Sequence, residues 1–250
     1  MLLYEFPLNE TIRTLLRLEH LFDRLGQLAA RETAIDHHFA LATLFESVDV
    51  ASRSDLKAEL LKELERHKQQ FNAYRGNPAV SEDALSEIVG RLDEALQGLH
   101  ELSGKPGAAL VGFDMLNALR SRIAVPGGTC EFDLPTYHAW QQQPSAVRRT
   151  HLLAWMSSVV PVAQAVNLLL DLLRQTGVPQ KVAAQAGQYQ QSLNASRAHQ
   201  LLRLRIDPAL GLVPEISGHR LMVSIRLLRE EDGRFKPVRE DACLELSLCA

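Results

Sequence analysis

The sequence lacks the signatures on which most assignments of function rest. No GxGxxG, GxxxxGK(S/T), GxSxG or HExxH occurs in its 250 residues, so dinucleotide, P-loop, hydrolase and zincin readings have no foothold. Cysteine is scarce: Cys130, Cys243 and Cys249 are an odd number with no CxxC pair. That excludes a disulfide framework and a tetrahedral structural zinc site, and a reducing, cytosolic compartment is the simplest reading. A global basic excess is missing too, since 27 Lys+Arg face 30 Asp+Glu for a net charge of −3, and any anionic partner must be met by a local patch. The greasiest segment, Val159 to Leu173, is broken by Pro161, Gln164, Asn167 and Asp171, well short of the roughly 18 uninterrupted apolar residues of a membrane span. It reads as a buried core or subunit-interface helix. The N-terminus has no basic n-region and sets Glu5 and Pro7 where a signal peptide needs its apolar stretch, so it is expected to remain in the mature chain.

What is present is an ordinary globular composition, 46% hydrophobic and 23% charged. Helical spacing of Ile12, Leu15, Leu18, Leu21, Phe22 and Leu25 predicts a helix capped by Asn9 and ending near Gly26. A second helix is expected from around Ile35–His38 through Val48. A third, DLKAELLKELERHKQQFNAY, is capped by Ser52 or Ser54 and stopped by Gly76 and Pro78, and a fourth is capped by Ser81. Further helical patterns cover Ala108 to Ile123, Thr136 to Gln142 behind Pro135, and two stretches from Ala146 to Thr176. CEFDLP reads as a short strand or an extended connector.

Past Gly177 the period changes. Residues 181–200 read as a linker or mobile loop, and three half-buried strands follow, around Leu202–Ile206, Leu221–Leu227 and Leu244–Leu248. Asp207 to Gly218 is expected to connect the first two strands. The N-terminal residues 1–7 are expected to add a strand, because a three-stranded sheet with open edges invites pairing with other chains.

Candidate chemistry is thin. Cys130, Asp133 and His138 make the best nucleophile, orienter and base set near the Pro-Gly-Gly turn, with packing and capping as the alternative. Asp36, His37 and His38 diverge by about 100° per residue on a helix, so a polar helix start is the better reading than a metal site. Glu63 and His67 read as a solvated face. Charge is more informative: residues 197–229 hold six arginines and two acids, whereas residues 230–250 hold six acids and three bases. If the polar faces of Arg203, Arg205 and Arg226 coincide, a cationic surface results; alternatively these arginines pair with Glu240, Asp241 and Glu245. A nucleic-acid module would use the same arginines, but no aromatic residue lies between Tyr189 and Phe235 to stack a base.

Four segments carry a resemblance: EFPLNETIRTLLRLEHLF, DLKAELLKELERHKQQF, IAVPGGTCEFDLPTYHAWQQQP and VPEISGHRLMVSIR. In this order, from residue 5 to residue 226, they resemble the ZapD family of Z-ring-associated cell-division proteins. The PGG-x-C-x-FDLP-x-x-H-x-W and EISGH blocks are the specific ones. The resemblance implies a non-enzymatic, cytoplasmic homodimer, located at mid-cell, that binds the C-terminal tail of FtsZ, bundles protofilaments and promotes Z-ring assembly. It implies a mainly helical domain with a smaller β domain, in agreement with the period change past Gly177, and the chain is read as a mainly α-helical α+β fold with a helical domain over residues 8–180 and an antiparallel β domain over residues 181–250. No cofactor, metal, nucleic acid or membrane insertion is expected. Matching basic positions place the tail contacts at Arg53, Lys57, Arg220 and Arg226, with Arg203 and Arg205 sharing the load where Met222 replaces an arginine present in some family members. The readings outside this family are a thiol enzyme using Cys130 and His138, and a weak nucleic-acid-binding module.

Overall fold

A computed structural model describes residues 1–52, 55–194 and 198–250. The fold is α+β and mainly helical. The chain divides into a helical unit, Arg17–Leu169, and a β unit formed by Met1–Leu16 with Leu170–Ala250.

The helical unit is built from amphipathic segments. Helix α1 (Glu10–Ala30) starts at Asn9, whose side chain accepts the Ile12 N–H at 2.8 Å, and runs one turn past Gly26. Helix α2 (Ala34–Ser52) opens with Thr33, whose hydroxyl accepts the Asp36 N–H at 3.1 Å. Helices α3 (Leu56–Asn72) and α4 (Glu82–Glu101) pack together. Their inner stripes, Leu56, Leu60 and Leu64 on one and Leu85, Leu92 and Leu99 on the other, are almost completely buried. Ser81 caps α4 as its sequence suggests, accepting the Ala84 N–H. Asp55 is the N-cap of α3 and makes no side-chain cap bond; Ser54 lies outside the described residues. Past a 3-10 turn (Ala108–Gly112) come α5 (Asp114–Arg122), α6 (Pro135–Gln141), α7 (Ser145–Met156) and α8 (Val160–Gln175). CEFDLP forms turns leading into α6, which Pro135 opens. A core of Leu25, Leu41, Leu44, Phe45, Leu116, Leu119, Tyr137, Trp140, Leu152 and Trp155 joins α1, α2, α5, α6 and α7.

The β unit is a two-sheet sandwich. Sheet A has the order β1 (Leu2–Pro7), β4 (Leu201–Ile206), β8 (Ala242–Cys249), β2 (Gln180–Ala184), all antiparallel. Sheet B centres on β6 (Met222–Glu231), flanked by β5 (Leu212–His219) on one side. On the other side β3 (Gln188–Ser192) and β7 (Arg234–Pro237) pair its two halves. Leu202, Leu204, Ile206, Leu244 and Leu246 of one sheet meet Leu212, Val223, Ile225 and Leu227 of the other in a single core.

Two stretches read as connections are strands. Residues 181–200 contain β2 and β3, joined by a tight turn in which Ala186 and Gly187 both have positive φ. Only glycine fits at position 187, where a Cβ would collide with the Val238 carbonyl. The segment after Asp207 holds β5, an edge strand that tolerates Pro214 because one of its sides has no partner strand among the described residues.

Candidate functional site

The β unit carries most of the candidate cations, and the two sheets separate them. Period-2 alternation turns Leu202, Leu204 and Ile206 inward, so Arg203 and Arg205 lie on the outer face of sheet A. By the same rule Val223, Ile225 and Leu227 turn inward, and Arg226 lies on the outer face of sheet B. The polar faces of the two strands therefore do not coincide: a hydrophobic core lies between them.

On sheet A the cations are engaged. Glu5 sits opposite Arg203 in the β1–β4 register and accepts its Nε–H at 2.8 Å. Arg174, at the end of α8, donates to both oxygens of the same carboxylate, at 2.9 and 2.7 Å. All three side chains are at least three-quarters covered, with exposures of 16%, 19% and 21% for Glu5, Arg174 and Arg203. Burial opposes the Glu5 charge, but the hydrogen bonds and fields of the two guanidinium groups outweigh it and hold the carboxyl below its ordinary range. Arg205 pairs with Glu245 at 2.7 Å. Beside this network Cys249 is buried, its thiol pushed up in pKa mainly by desolvation.

On sheet B the arrangement is open. The β5–β6 hairpin ends in His219, Arg220, Leu221 and Met222, all exposed. His219 Nδ1 accepts the Leu221 N–H at 3.3 Å, fixing the turn. Arg220 has no hydrogen-bond or ion-pair partner among the described residues. Arg226 donates from Nε to Glu215 at 2.7 Å, in a pair half exposed on both sides. Exposed pairs of this kind contribute about 0–1 kcal/mol and exchange readily.

The remaining candidates lie in the helical unit. Lys57 donates to the Leu102 carbonyl at 2.6 Å, closing the C-terminus of α4 from α3. Arg53 lies outside the described residues.

The thiol set is not assembled. Cys130 Sγ donates to the Gly127 carbonyl at 3.0 Å, Asp133 faces Arg122 at 3.4 Å, and exposed His138 bonds to neither. Glu63 accepts from Arg66, and His67 stacks on Phe71. No group of three or more His, Cys, Asp or Glu able to hold a metal occurs among the described residues.

Sequence reasoning missed one polar cluster. Arg148 of α7 is 6% exposed and His37 of α2 is fully buried. The Arg148 Nε–H donates to His37 Nδ1 at 3.0 Å, and its terminal nitrogens donate to the carbonyls of Glu32 (2.6 Å), Gln141 (3.1 Å) and Gln143. Because guanidinium has donors only, His37 accepts at Nδ1 and carries its proton on Nε2, which donates to the Arg31 carbonyl at 2.8 Å. A signal for this existed: His37 falls on the stripe of Leu41, Leu44 and Val48, and Arg148 on that of Leu152, Trp155 and Val159.

No single helix among the described residues is long and apolar enough to cross a membrane, although α7 and α8, bent by 68° at their junction, meet the length and composition limits as a pair. What emerges is an α+β protein with many of its ionisable groups engaged in holding the fold and one cationic hairpin end left open. The family model for the cell-division protein ZapD matches residues 16–226. A cell division protein ZapD of Ralstonia pickettii (strain 12J) is 47% identical over 251 residues, covering 100% of this chain and 99% of that protein. One of Ralstonia nicotianae (strain ATCC BAA-1114 / GMI1000) is 46% identical with the same coverage. The chain belongs to the ZapD family of cell-division proteins.

Proposed function

We propose that this protein is a non-enzymatic division factor that binds the C-terminal tail of FtsZ, cross-links and bundles its protofilaments, and promotes Z-ring assembly at mid-cell in the cytoplasm. The observation that carries the reading is the end of the β5–β6 hairpin. Arg220 projects there without a partner among the described residues, between His219 and the half-exposed Leu221 and Met222. Arg226 stands on the outer face of the same sheet, held only by an exposed pair. A projecting end that offers planar donors beside apolar side chains suits an extended peptide carrying carboxylates and aliphatic residues. Arg205, Lys57 and Arg203 would have to leave Glu245, the Leu102 carbonyl and Glu5 to contribute, and of the two sheet A arginines Arg203, the more covered, is the less available.

Bundling follows if the protein is a homodimer. A two-fold axis presents two equivalent tail sites, and holding the second tail becomes effectively intramolecular once the first is bound. Capture that rests on exposed charge weakens steeply as salt rises.

The test is co-sedimentation with FtsZ polymers, comparing wild type with Arg220→Glu and Arg226→Glu and full-length with tail-deleted FtsZ. Wild type pellets with full-length polymers at low salt, and tail deletion or either charge reversal abolishes it. Pelleting indifferent to tail deletion overturns the reading, as does pelleting that is flat from low to high salt. Cys130→Ser leaves pelleting unchanged, whereas a thiol enzyme would lose its activity.

A further inference from the structure

His37 and His38, adjacent at the start of α2, grip two different segments. His37 holds the α1–α2 turn through the Arg31 carbonyl and holds α7 through Arg148. His38, turned about 100° away, places Nδ1 2.8 Å from the hydroxyl of Tyr137 on α6. That hydroxyl also accepts from Gln141 Nε2 at 3.3 Å, so its own proton goes to His38. Both imidazoles are thus acceptors at Nδ1, and each can do this work only while neutral.

Protonation ends both bonds for different reasons. A proton on His37 Nδ1 would point at the Nε–H of Arg148, placing two cations and two donors face to face in a fully buried site. One on His38 Nδ1 would leave the buried Tyr137 hydroxyl with two donors aimed at it and no acceptor for its own proton.

We propose that His37 and His38 form a proton-operated latch, which while neutral fastens α6 and α7 to the start of α2 and on protonation releases both segments. The charges around it favour the neutral form. Arg148 and Arg149 face His37 from α7, and the Trp140 ring lies 6.5 Å away on α6. Arg31 on the α1–α2 turn and Asp36 on α2 complete the set, but the Asp36 carboxylate is already taken by Thr33 and Arg31. Tyr137 and Gln141 on α6 and the Phe39 ring beside it surround His38, with no carboxylate among them. Burial is the leading reason both histidines sit below the ordinary imidazole value; at His37 the Arg31 carbonyl and the Asp36 carboxylate pull the other way, but burial with the fields of Arg148 and Arg149 outweighs them.

The sign is fixed by linkage. A histidine kept neutral in the fold binds fewer protons than in the unfolded chain, so its contribution is complete above the ordinary value of 6.5 and is lost as pH falls below it. Each such group changes the unfolding equilibrium constant by about tenfold per pH unit within its window.

The experiment uses the full chain with 15N-labelled histidine, following both rings and the exchange protection of α6 and α7 amides from pH 7.5 to pH 4.5. Both rings are expected to stay in the Nε2–H form below the ordinary histidine range, and to titrate together with the loss of that protection. His37→Gln, whose amide can accept from Arg148 and donate to the Arg31 carbonyl without titrating, should retain protection to lower pH and flatten the acid slope by about one proton. Rings that titrate at the ordinary value with protection unchanged overturn the latch, and so does a His37→Gln variant that loses protection at the wild-type pH. Should His37→Gln fail to fold, coincidence or separation of ring titration and amide protection in the wild type decides the question.

Discussion

In the helical unit the buried guanidinium of Arg148 faces carbonyl oxygens and a neutral imidazole, whereas in the β unit Arg174 and Arg203 share the carboxylate of Glu5. Both arrangements satisfy donors that would otherwise be desolvated without partners, but they fail in different ways. Carbonyl dipoles do not titrate, so the first depends on His37 staying unprotonated and weakens as pH falls below the ordinary histidine value. The second depends on a carboxylate and weakens only in stronger acid. Each unit thus loses its polar fastening in its own pH window.

The largest effect is expected from Arg148→Met. It leaves the carbonyls of Glu32, Gln141 and Gln143 and the Nδ1 of His37 without their donor in a covered site, and should destabilise the helical unit by about 3 kcal/mol or more. Trp140 and Trp155, the two tryptophans of the chain, lie in that unit, so denaturant unfolding followed by their fluorescence reads it directly. A loss under 1 kcal/mol would mean that water replaces the guanidinium, and the contrast between the units would shrink accordingly.

Glu5→Gln should cost less, about 1–3 kcal/mol, because the site is partly open and two arginines can reach solvent. Its pH dependence distinguishes it. The Glu5 carboxyl is lowered from 4.5, so its contribution is complete above that value and disappears as pH falls through the lowered one. Hydrogen exchange of β4 amides should therefore separate wild type from variant at pH 7 and bring them together in strong acid. A difference that persists there would locate the effect in packing rather than charge.

The same contrast explains what could be read from the chain. Helices were legible because one stripe of leucines every three to four residues is a repeated signal, and the caps Asn9 and Ser81 act as their residue types suggest. Strands with alternating large apolar residues, β4, β6 and β8, were legible for the same reason. β2 and β3 were not, because Gln, Ala and Ser fill them and only Val182, Ala184 and Tyr189 reach the core. Pro214 and Gly218 hid β5. The Arg148–His37 bond spans 111 residues of sequence, and nothing local marks it except that each polar residue occupies an apolar stripe. For the basic surface, local alternation placed each arginine on a face correctly, but which faces coincide is a property of sheet order, with β4 in one sheet and β6 in the other.

The smallest structural effect should carry the most functional information. Glu215→Gln removes the partner of Arg226 on an exposed face, where such pairs contribute about 0–1 kcal/mol, so stability should stay within about 0.5 kcal/mol of wild type. If the open hairpin of sheet B is the tail site, the released Arg226 becomes a further free cation on the hairpin that carries Arg220. Binding of an FtsZ tail peptide should then tighten by up to about fivefold at low salt, an advantage that fades as ionic strength rises. Glu245→Gln, which frees Arg205 on the opposite face, should leave peptide affinity unchanged. Titration of both variants against the same peptide compares the two faces directly. Equal tightening would mean that the peptide responds to net charge alone, while tightening by Glu245→Gln only would move the site to sheet A.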